Sequence, residues 1–155
     1  MSSRTRPNHL DDVSKQIIEQ LQEDGRRPYA AIGKAVGLSE AAVRQRVQKL
    51  LSDGVMQIVA VTDPVQVGFA RQAMIGIRCN GELSAVADAL SDMPEVDYVV
   101  ITAGSFDLLA EVVCEDDDHL LELIGDRIRG LDGVEGTESF VYLKLRKQLY
   151  NWGTR

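Results

Sequence analysis

Aromatic residues, cysteines and long apolar runs are all scarce in this sequence of 155 residues. It contains three Phe, four Tyr and one Trp, so its core has to be built from aliphatic side chains. Cys79 and Cys114 lie in separate apolar, strand-like segments, which predicts buried free thiols and no disulfide framework. Apolar runs such as 108–114 are far shorter than the roughly 20 residues that span a bilayer, and the N-terminus MSSRTRPNH lacks a signal-peptide core. We therefore expect a cytoplasmic protein with no membrane partner.

Motifs of cofactor-binding and catalytic sites are also missing. No G-x-G-x-x-G or Walker sequence occurs, and neither histidine stands in a recognisable nucleophile setting. A zinc site needs about four nitrogen or sulfur ligands at short spacing, whereas His9, His119 and the two cysteines are scattered. The run EDDDH at 115–119 has the composition of a divalent-cation site, but acidic residues are also favoured at a helix N-terminus. We therefore predict that this run begins and caps a helix and does not bind a metal. We expect no metal site, no cofactor and no enzyme activity.

Charge is distributed unevenly in this acidic chain, whose formal net charge is −7. Residues 1–63 contain nine Lys/Arg and eight Asp/Glu, a net charge of +1, whereas residues 64–155 contain eight and sixteen, a net charge of −8. This asymmetry predicts two units with different partners, the first tolerant of a polyanion. The Pro- and Gly-bearing stretch TDPVQVG at 62–68 marks the boundary.

The first unit, residues 1–63, has the apolar spacing of helices. A helical stripe leads into EDG at 23–25, where Gly25 ends the first helix, and a second helix is predicted over 29–36. In the following GLS, Gly37 permits a sharp turn, Leu38 anchors in the core and Ser39 caps a third helix. The stripe of the first helix consists of Leu10, Val13, Ile17, Ile18 and Leu21, and that of the third consists of Val43, Val47, Leu50 and Leu51.

Two helices joined by a tight Gly-bearing turn, with another helix behind them, are typical of a helix-turn-helix domain that binds double-stranded DNA. The predicted base-reading residues are Glu40, Ala41, Arg44, Gln45 and Gln48. The predicted contacts to phosphates, or supports of the docking angle, are Ser39, Arg46, Lys49, Arg26, Arg27 and Tyr29. Two alternatives stay open: the cations form an ordinary solvated helix face, or Arg46 is a structural ion-pair partner. The segment DGVMQIVAVTD at 53–63 is predicted to be a short wing or an outgoing strand.

The second unit, residues 64–155, alternates strand and helix patterns. Strands are predicted at 71–79, 96–102, 106–114 and 137–145, with helices at 82–92 and 116–130. This strand-helix-strand-strand-helix-strand order is the ferredoxin-like βαββαβ order, which makes the whole chain an α+β protein. Both helices cover one sheet face, and apolar residues on the other face predict a face-to-face homodimer. The alternative to a DNA-binding regulator is a ferredoxin-like dimeric α+β barrel enzyme or ligand-binding module with a helical appendage.

Several segments resemble the Lrp/AsnC (feast/famine) family of transcriptional regulators. They are Leu10-Asp11, IIEQLQEDGR at 17–26, VGLSEAAVRQRVQKLLSDGVM at 36–56, DPVQVG at 63–68, ITAGSFDLLAEV at 101–112 and GVEGTESFVYLKLRK at 133–147. Their order and spacing cover roughly residues 10–147. The chain departs from the family pattern at AAIGKAV, 30–36, and by having Ser139 beside Thr137 near the start of the last strand.

The resemblance implies a transcriptional regulator whose operator binding or assembly responds to a small effector, most often an amino acid held between subunits. The residues assigned to it are Thr102, Ala103, Gly104, Ser105, Phe106, Asp107, Thr137 and Ser139. Asp107 suits an ammonium group, although Gly and Asp are also the residues that a tight turn between strands requires. The sequence leaves open which effector binds, which operator is recognised, and whether dimers assemble into octamers.

Overall fold

A computed structural model describes residues 10–155, and contacts within the chain group it into two units. The described residues of the first are 10–60 together with 147–155, and the second consists of residues 61–146. With residues 1–9 of the sequence counted in the first, it holds eleven Lys/Arg and seven Asp/Glu, a net charge of +4, and the second holds six and seventeen, a net charge of −11. This division segregates charge more strongly than the boundary drawn from sequence.

The C-terminal segment accounts for part of this difference. Residues 147–155, assigned from sequence to the second unit, lie with the first, because the Gly153 N–H donates to Gln22 Oε1 at 3.1 Å and the Thr154 hydroxyl donates to Glu19 Oε1 at 2.5 Å. Both acceptors are polar side chains of the first helix; Glu19 is exposed and Gln22 is half-buried. Composition gave no indication of this contact, which joins residues more than 130 positions apart.

Three helices form the first unit, as the apolar spacing predicts: α1 (Asp12–Glu23), α2 (Tyr29–Val36) and α3 (Glu40–Ser52). Their shared core is aliphatic and includes the fully buried Ile17, Ile32, Val43 and Val47. The prediction for Leu51 was wrong, since this side chain is 38% exposed while Leu50 is buried.

A tight turn connects α2 to α3. Gly37 adopts the left-handed conformation at φ 75°, and the Ser39 hydroxyl accepts from the Ala42 N–H at 3.2 Å, so the predicted turn glycine and helix cap are confirmed. The turn folds back closely on α2, because the Leu38 N–H donates to the Gly33 carbonyl at 2.9 Å. Leu38 packs against the helical core as expected.

The predicted wing is absent. Residues 56–63, all within the described part of the chain, form no strand, because no neighbouring strand pairs with them there. A short 3-10 turn at Pro64–Val67 follows; Asp63 caps it and Gly68 ends it at φ 103°. The alternation that suggested a strand corresponds to an extended connection with Val59 and Val61 exposed.

The second unit has the predicted strand and helix order. It comprises β1 (Arg71–Cys79), α4 (Leu83–Ser91), β2 (Val96–Ile101), β3 (Leu108–Cys114), α5 (Asp117–Glu122) with a π-helical continuation at Leu123–Ile128, and β4 (Val134–Val141). The sheet is antiparallel in the order β2-β3-β1-β4, which is the ferredoxin-like topology. The last strand begins three residues earlier and ends four residues earlier than predicted, and β3 begins two residues later.

Only one face of this sheet is covered. Ile75 and Ile77 of β1, and Leu108 and Val112 of β3, are fully buried beneath α4 and the α5 segment. Cys114 is buried and Cys79 half-buried, both as free thiols, and burial raises the pKa of each thiol. No helix among the described residues is long and apolar enough to cross a membrane.

The other sheet face is open and carries several large apolar side chains. It presents Tyr98, Phe140 and Tyr142, which are 51%, 45% and 37% exposed, beside the half-buried Met74 and Leu109. Glu111 lies on the same face opposite Met74, so the surface is mixed, but exposed aromatic side chains grouped in this way mark an interaction site in a folded protein. We call this surface the open sheet face.

The close approach of the α2–α3 turn to Gly33 can be tested by substitution. A Cβ added at Gly33 would lie 2.5 Å from the main-chain oxygen of Leu38, so Gly33→Ala forces the turn apart. We expect a loss of about 1–3 kcal/mol in stability, measured by denaturant unfolding followed by circular dichroism. Gly125→Ala is the matched control, because its Cβ meets nothing within 4 Å in a helical segment, and it should be neutral or slightly stabilising. Equal effects of the two changes would contradict this account of the turn.

Candidate nucleic-acid interface and effector turn

Helix α3 presents one exposed strip. The five predicted base-reading residues are all solvent-exposed and lie on one side of the helix, opposite the buried Val43, Val47 and Leu50. These residues are Glu40, Ala41, Arg44, Gln45 and Gln48. The strip begins at the capped N-terminus of the helix, the part that enters the major groove in helix-turn-helix proteins. We call these five residues the recognition strip.

Arg44 is held in place from two sides. Its Nη2 donates to Glu40 Oε1 at 2.7 Å, one helical turn earlier, and its guanidinium carbon lies 5.2 Å from the ring centroid of Tyr29 on α2. A cation over an aromatic face and an ion pair restrict a side chain that is otherwise free to rotate. Tyr29 therefore contacts Arg44, although it was predicted as a phosphate contact or a support of the docking angle.

Arg46 points towards α1. Its Nη1 donates to Asp11 Oδ2 at 2.7 Å and to the Ser14 hydroxyl at 3.1 Å. Hydrogen bonds from Ser14 and then from Arg46 lower the pKa of the Asp11 carboxyl to about 2. Of the two interpretations of Arg46 left open by the sequence, the structural ion pair is the one whose contacts are present.

The remaining predicted cations flank the recognition strip. Lys49 is largely exposed and pairs with Asp53 at 3.4 Å. Arg27 is tied to α1 through Gln20 Oε1 at 2.6 Å and Glu23 Oε2 at 3.1 Å, while Arg26 is exposed and its main-chain N–H donates to Asp24. Pro28 precedes α2 and provides no side-chain cap; the Ala31 N–H donates to the Pro28 carbonyl at 2.9 Å, so the two N–H groups before it, on Tyr29 and Ala30, are the ones left for an outside acceptor.

The predicted effector residues 102–107 form the turn between β2 and β3. The Thr102 N–H donates to the Asp107 carbonyl at 2.9 Å, and the Thr102 hydroxyl donates to the Phe106 carbonyl at 2.6 Å. The Asp107 side chain reaches β1, where Oδ2 accepts from the Cys79 N–H at 2.8 Å. Ala103, Gly104 and Ser105 form the exposed tip. Asp107 thus has a structural contact, as one of the two interpretations of the sequence required.

Phe106 folds from this turn onto the open sheet face. Its ring fills the space beside Gly76 and meets Phe140 edge-on, with 6.1 Å between ring centroids. The Arg78 guanidinium carbon lies 5.6 Å from the centroid of the Phe106 ring. The turn therefore brings together a carboxylate, an aromatic ring and an arginine at one end of the sheet.

Thr137 and Ser139 are not brought to this turn within one chain. They pair with Ile77 and Ile75 and share their helix-covered face, and strand β1 separates them from β3. The Thr137 hydroxyl accepts from Arg129 Nε at 2.9 Å. The expected ring of hydroxyls around Asp107 therefore does not form in a single chain, because strand alternation turns these two side chains to the opposite face.

Sequence reasoning missed three residues in these surfaces. Asp11 contributed only to the family resemblance, although its position just before the first apolar stripe is a recognisable N-cap signal. Ser14 is the one buried polar side chain among the described residues, and Arg78 lies over Phe106. No local pattern identifies Ser14 or Arg78, because their partners are distant in sequence.

The acidic run at 115–119 forms the start of helix α5, as the sequence predicts. The Asp116 side chain accepts from the His119 N–H at 2.8 Å, and Asp117 pairs with Arg71. Residues 10–155 contain no group of three or more His, Cys, Asp or Glu that is arranged to hold a metal ion. His9 lies outside the described residues.

Two family models match the chain in the same order as its two units. An AsnC-type helix-turn-helix domain matches residues 10–51, and the C-terminal dimeric α+β barrel domain of AsnC-type transcriptional regulators matches residues 69–155. The first match contains the recognition strip, and the second contains the turn at 102–107 and the open sheet face.

Known proteins show the same likeness over nearly the whole chain. The chain is 34% identical over 141 residues to the HTH-type transcriptional regulator FL11 of Pyrococcus horikoshii, covering 90% of this chain and 93% of that protein. The Neisseria meningitidis transcriptional regulator NMB0573, solved as a complex with L-Met, matches with a TM-score of 0.79 and 25% identity over 92% of this chain and 95% of the other.

Escherichia coli AsnC shares the fold, with a TM-score of 0.79 and 23% identity over 92% of this chain and 98% of that one. Regulators of this family are not enzymes, so the alternative of a barrel enzyme with a helical appendage is set aside. The protein is a helix-turn-helix transcriptional regulator of the Lrp/AsnC family.

Proposed function

We propose that a homodimer of this regulator reads its operator through the recognition strip and that a small effector of the amino-acid class modulates this binding. The observation that carries the first part is the orientation of Arg44 by Glu40 and Tyr29. An arginine held in one orientation loses less conformational freedom when its guanidinium bonds a guanine edge. The exposed Gln45 and Gln48 supply amide groups of the kind that read adenine.

Phosphate contacts come from residues around the strip. Lys49, Arg26 and Arg27 carry the charge, and Ser39 and the uncapped start of α2 contribute polar groups. The +4 charge of the first unit favours this surface over the second unit, whose net charge is −11. An acidic protein can therefore bind DNA because the favourable charge is local to the helical unit.

Dimerisation follows from the open sheet face. Burying its exposed Tyr98, Phe140 and Tyr142 away from water is favourable, and a second copy supplies an identical surface across a twofold axis. Two copies also provide two helix-turn-helix units for the two half-sites of an operator. The matching family model describes a dimeric barrel, which supports this arrangement.

The effector site we propose uses both charges of an amino acid. Asp107 offers its carboxylate to the ammonium group, Arg78 offers its guanidinium to the carboxylate group, and Phe106 provides an apolar wall. Ser105 and the side-chain-free Gly104 leave the tip of the turn accessible to the ligand. The methionine complex of the Neisseria relative supports an amino acid as the ligand class.

The role of Arg44 is tested by Arg44→Ala. Loss of a bidentate base contact should cost about 1–3 kcal/mol on the operator and much less on a scrambled duplex, measured by fluorescence anisotropy at fixed salt. Lys15→Ala on α1 removes the same charge away from the strip and should leave the ratio of the two affinities unchanged. Equal losses on both duplexes would make Arg44 a phosphate contact.

The proposed dimer is tested at Phe140. Phe140→Glu places a carboxylate on each side of a twofold interface, and light scattering should give the mass of a monomer. Leu121→Glu is the matched control, because Leu121 is 70% exposed on α5 and not on the open sheet face, and it should leave the dimer intact. A dimer that survives Phe140→Glu would exclude this face as the interface.

The effector site is tested by Asp107→Asn. Asparagine keeps an oxygen to accept from the Cys79 N–H, so the turn should hold, but it removes the charge that an ammonium group requires. In a thermal-shift screen, an amino acid at 100 times its dissociation constant should stabilise the parent by about 2.7 kcal/mol and leave the variant unshifted. Asp88→Asn on α4 is the control and should respond like the parent. If Asp107→Asn also responds normally, Asp107 serves the turn alone.

A further inference from the structure

The structure assigns Arg46 a positioning role: it fixes the angle of the recognition helix against α1 and does not touch DNA. This inference rests on the proposed DNA reading by α3 and concerns a residue outside the recognition strip. Arg46 lies on α3 between Gln45 and Val47, and its side chain is 37% exposed and directed at the start of α1. A phosphate contact would require that guanidinium to leave both of its present partners.

Asp11 is the centre of the contact. Its Oδ1 accepts from the Ser14 N–H at 2.8 Å and so caps α1, while its Oδ2 accepts from Arg46 Nη1 at 2.7 Å. The Ser14 hydroxyl, on a side chain that is almost completely buried, accepts a second bond from the same nitrogen at 3.1 Å. One carboxylate therefore fixes both the first turn of α1 and the guanidinium of α3.

The hydrogen bonds of Arg46 are directional, whereas the apolar contacts between α1 and α3 are not. Helices α1 and α3 otherwise meet through Ile17, Val43 and Val47, and apolar contacts of this kind tolerate small rotations and slides. Among residues 10–155, the Arg46 bonds to Asp11 and Ser14 are the side-chain hydrogen bonds that join these two helices, across 35 and 32 positions of sequence. Base reading by hydrogen bonds requires the helix to be placed within a fraction of an ångström.

Positioning, phosphate binding and simple stabilisation predict different measurements. Loss of a positioning contact lowers affinity for the operator and spares non-specific binding, because misplaced side chains miss base edges while the phosphate contacts remain. Loss of a phosphate contact lowers both affinities and reduces the salt slope by about one per subunit. A contact that only stabilises the fold changes neither affinity while the variant remains folded.

The experiment uses the full chain and a duplex that the unaltered protein selects from a random-sequence pool, with a scrambled duplex for comparison. Asp11→Asn is the main variant, because asparagine caps a helix as well as aspartate does but lacks the charge that binds Arg46. Arg46→Met keeps the aliphatic stem without the guanidinium, and the double variant completes the cycle. Asp12→Asn is the matched control. The Asp12 carboxylate is next in sequence to Asp11, is 94% exposed, and lies 4.0 Å from Lys15 Nζ through its Oδ1.

We expect Asp11→Asn and Arg46→Met each to weaken operator binding by about threefold to tenfold, with the double variant no weaker than either single one. Scrambled-duplex affinity, salt slope and the Asp12→Asn control should match the unaltered protein. A reduced salt slope in Arg46→Met with normal Asp11→Asn would make Arg46 a phosphate contact, and unchanged affinities in both would leave it only a stabilising role. An unaltered protein that selects no duplex would instead overturn the proposed DNA reading.

Discussion

A four-stranded sheet with helices on one face only is the constraint on which the rest of this protein depends. Alternation along β1 and β3 buries Ile75, Ile77 and Leu108 beneath α4 and α5, and the same alternation leaves the other face open with aromatic side chains exposed on it. Among the described residues, no third layer covers that face. A second copy is the simplest cover, and it also gives a regulator two helix-turn-helix units for a two-part operator.

The distribution of charge makes an acidic chain compatible with DNA. The second unit carries most of the acidic residues, and the helical unit, completed by the C-terminal residues 147–155, has a net charge of +4. Within that unit the cations have different tasks. Arg44 is oriented towards solvent by Glu40 and Tyr29, whereas Arg46 is bonded to Asp11 and Ser14. Two arginines separated by one residue on the same helix thus face different partners.

The turn at 102–107 makes structural contacts through the same residues that we propose as the effector site. Asp107 bonds the Cys79 main chain, and Phe106 covers Gly76 and meets Phe140 of β4. A ligand at Asp107 would therefore contact a turn that is already bonded to β1 and packed against β4. Because Phe106 and Phe140 both lie on the open sheet face, an effector here would bind beside the proposed dimer interface, where small shifts change contacts between subunits.

Local pattern alone determined the three helices, the Gly37 turn, the Ser39 cap and the βαββαβ order, because apolar periodicity and turn residues report each element through its own neighbours in sequence. The same information misjudged the wing at 53–63 and the limits of β4, since these depend on whether a distant segment is there to pair. Residue types predicted a cationic helix but left open whether Arg46 contacts phosphate or forms an ion pair. Only the tertiary structure decided that Arg46 meets Asp11, that Thr137 turns away from Asp107, and that Arg78 joins Phe106, because each contact joins residues far apart in the chain.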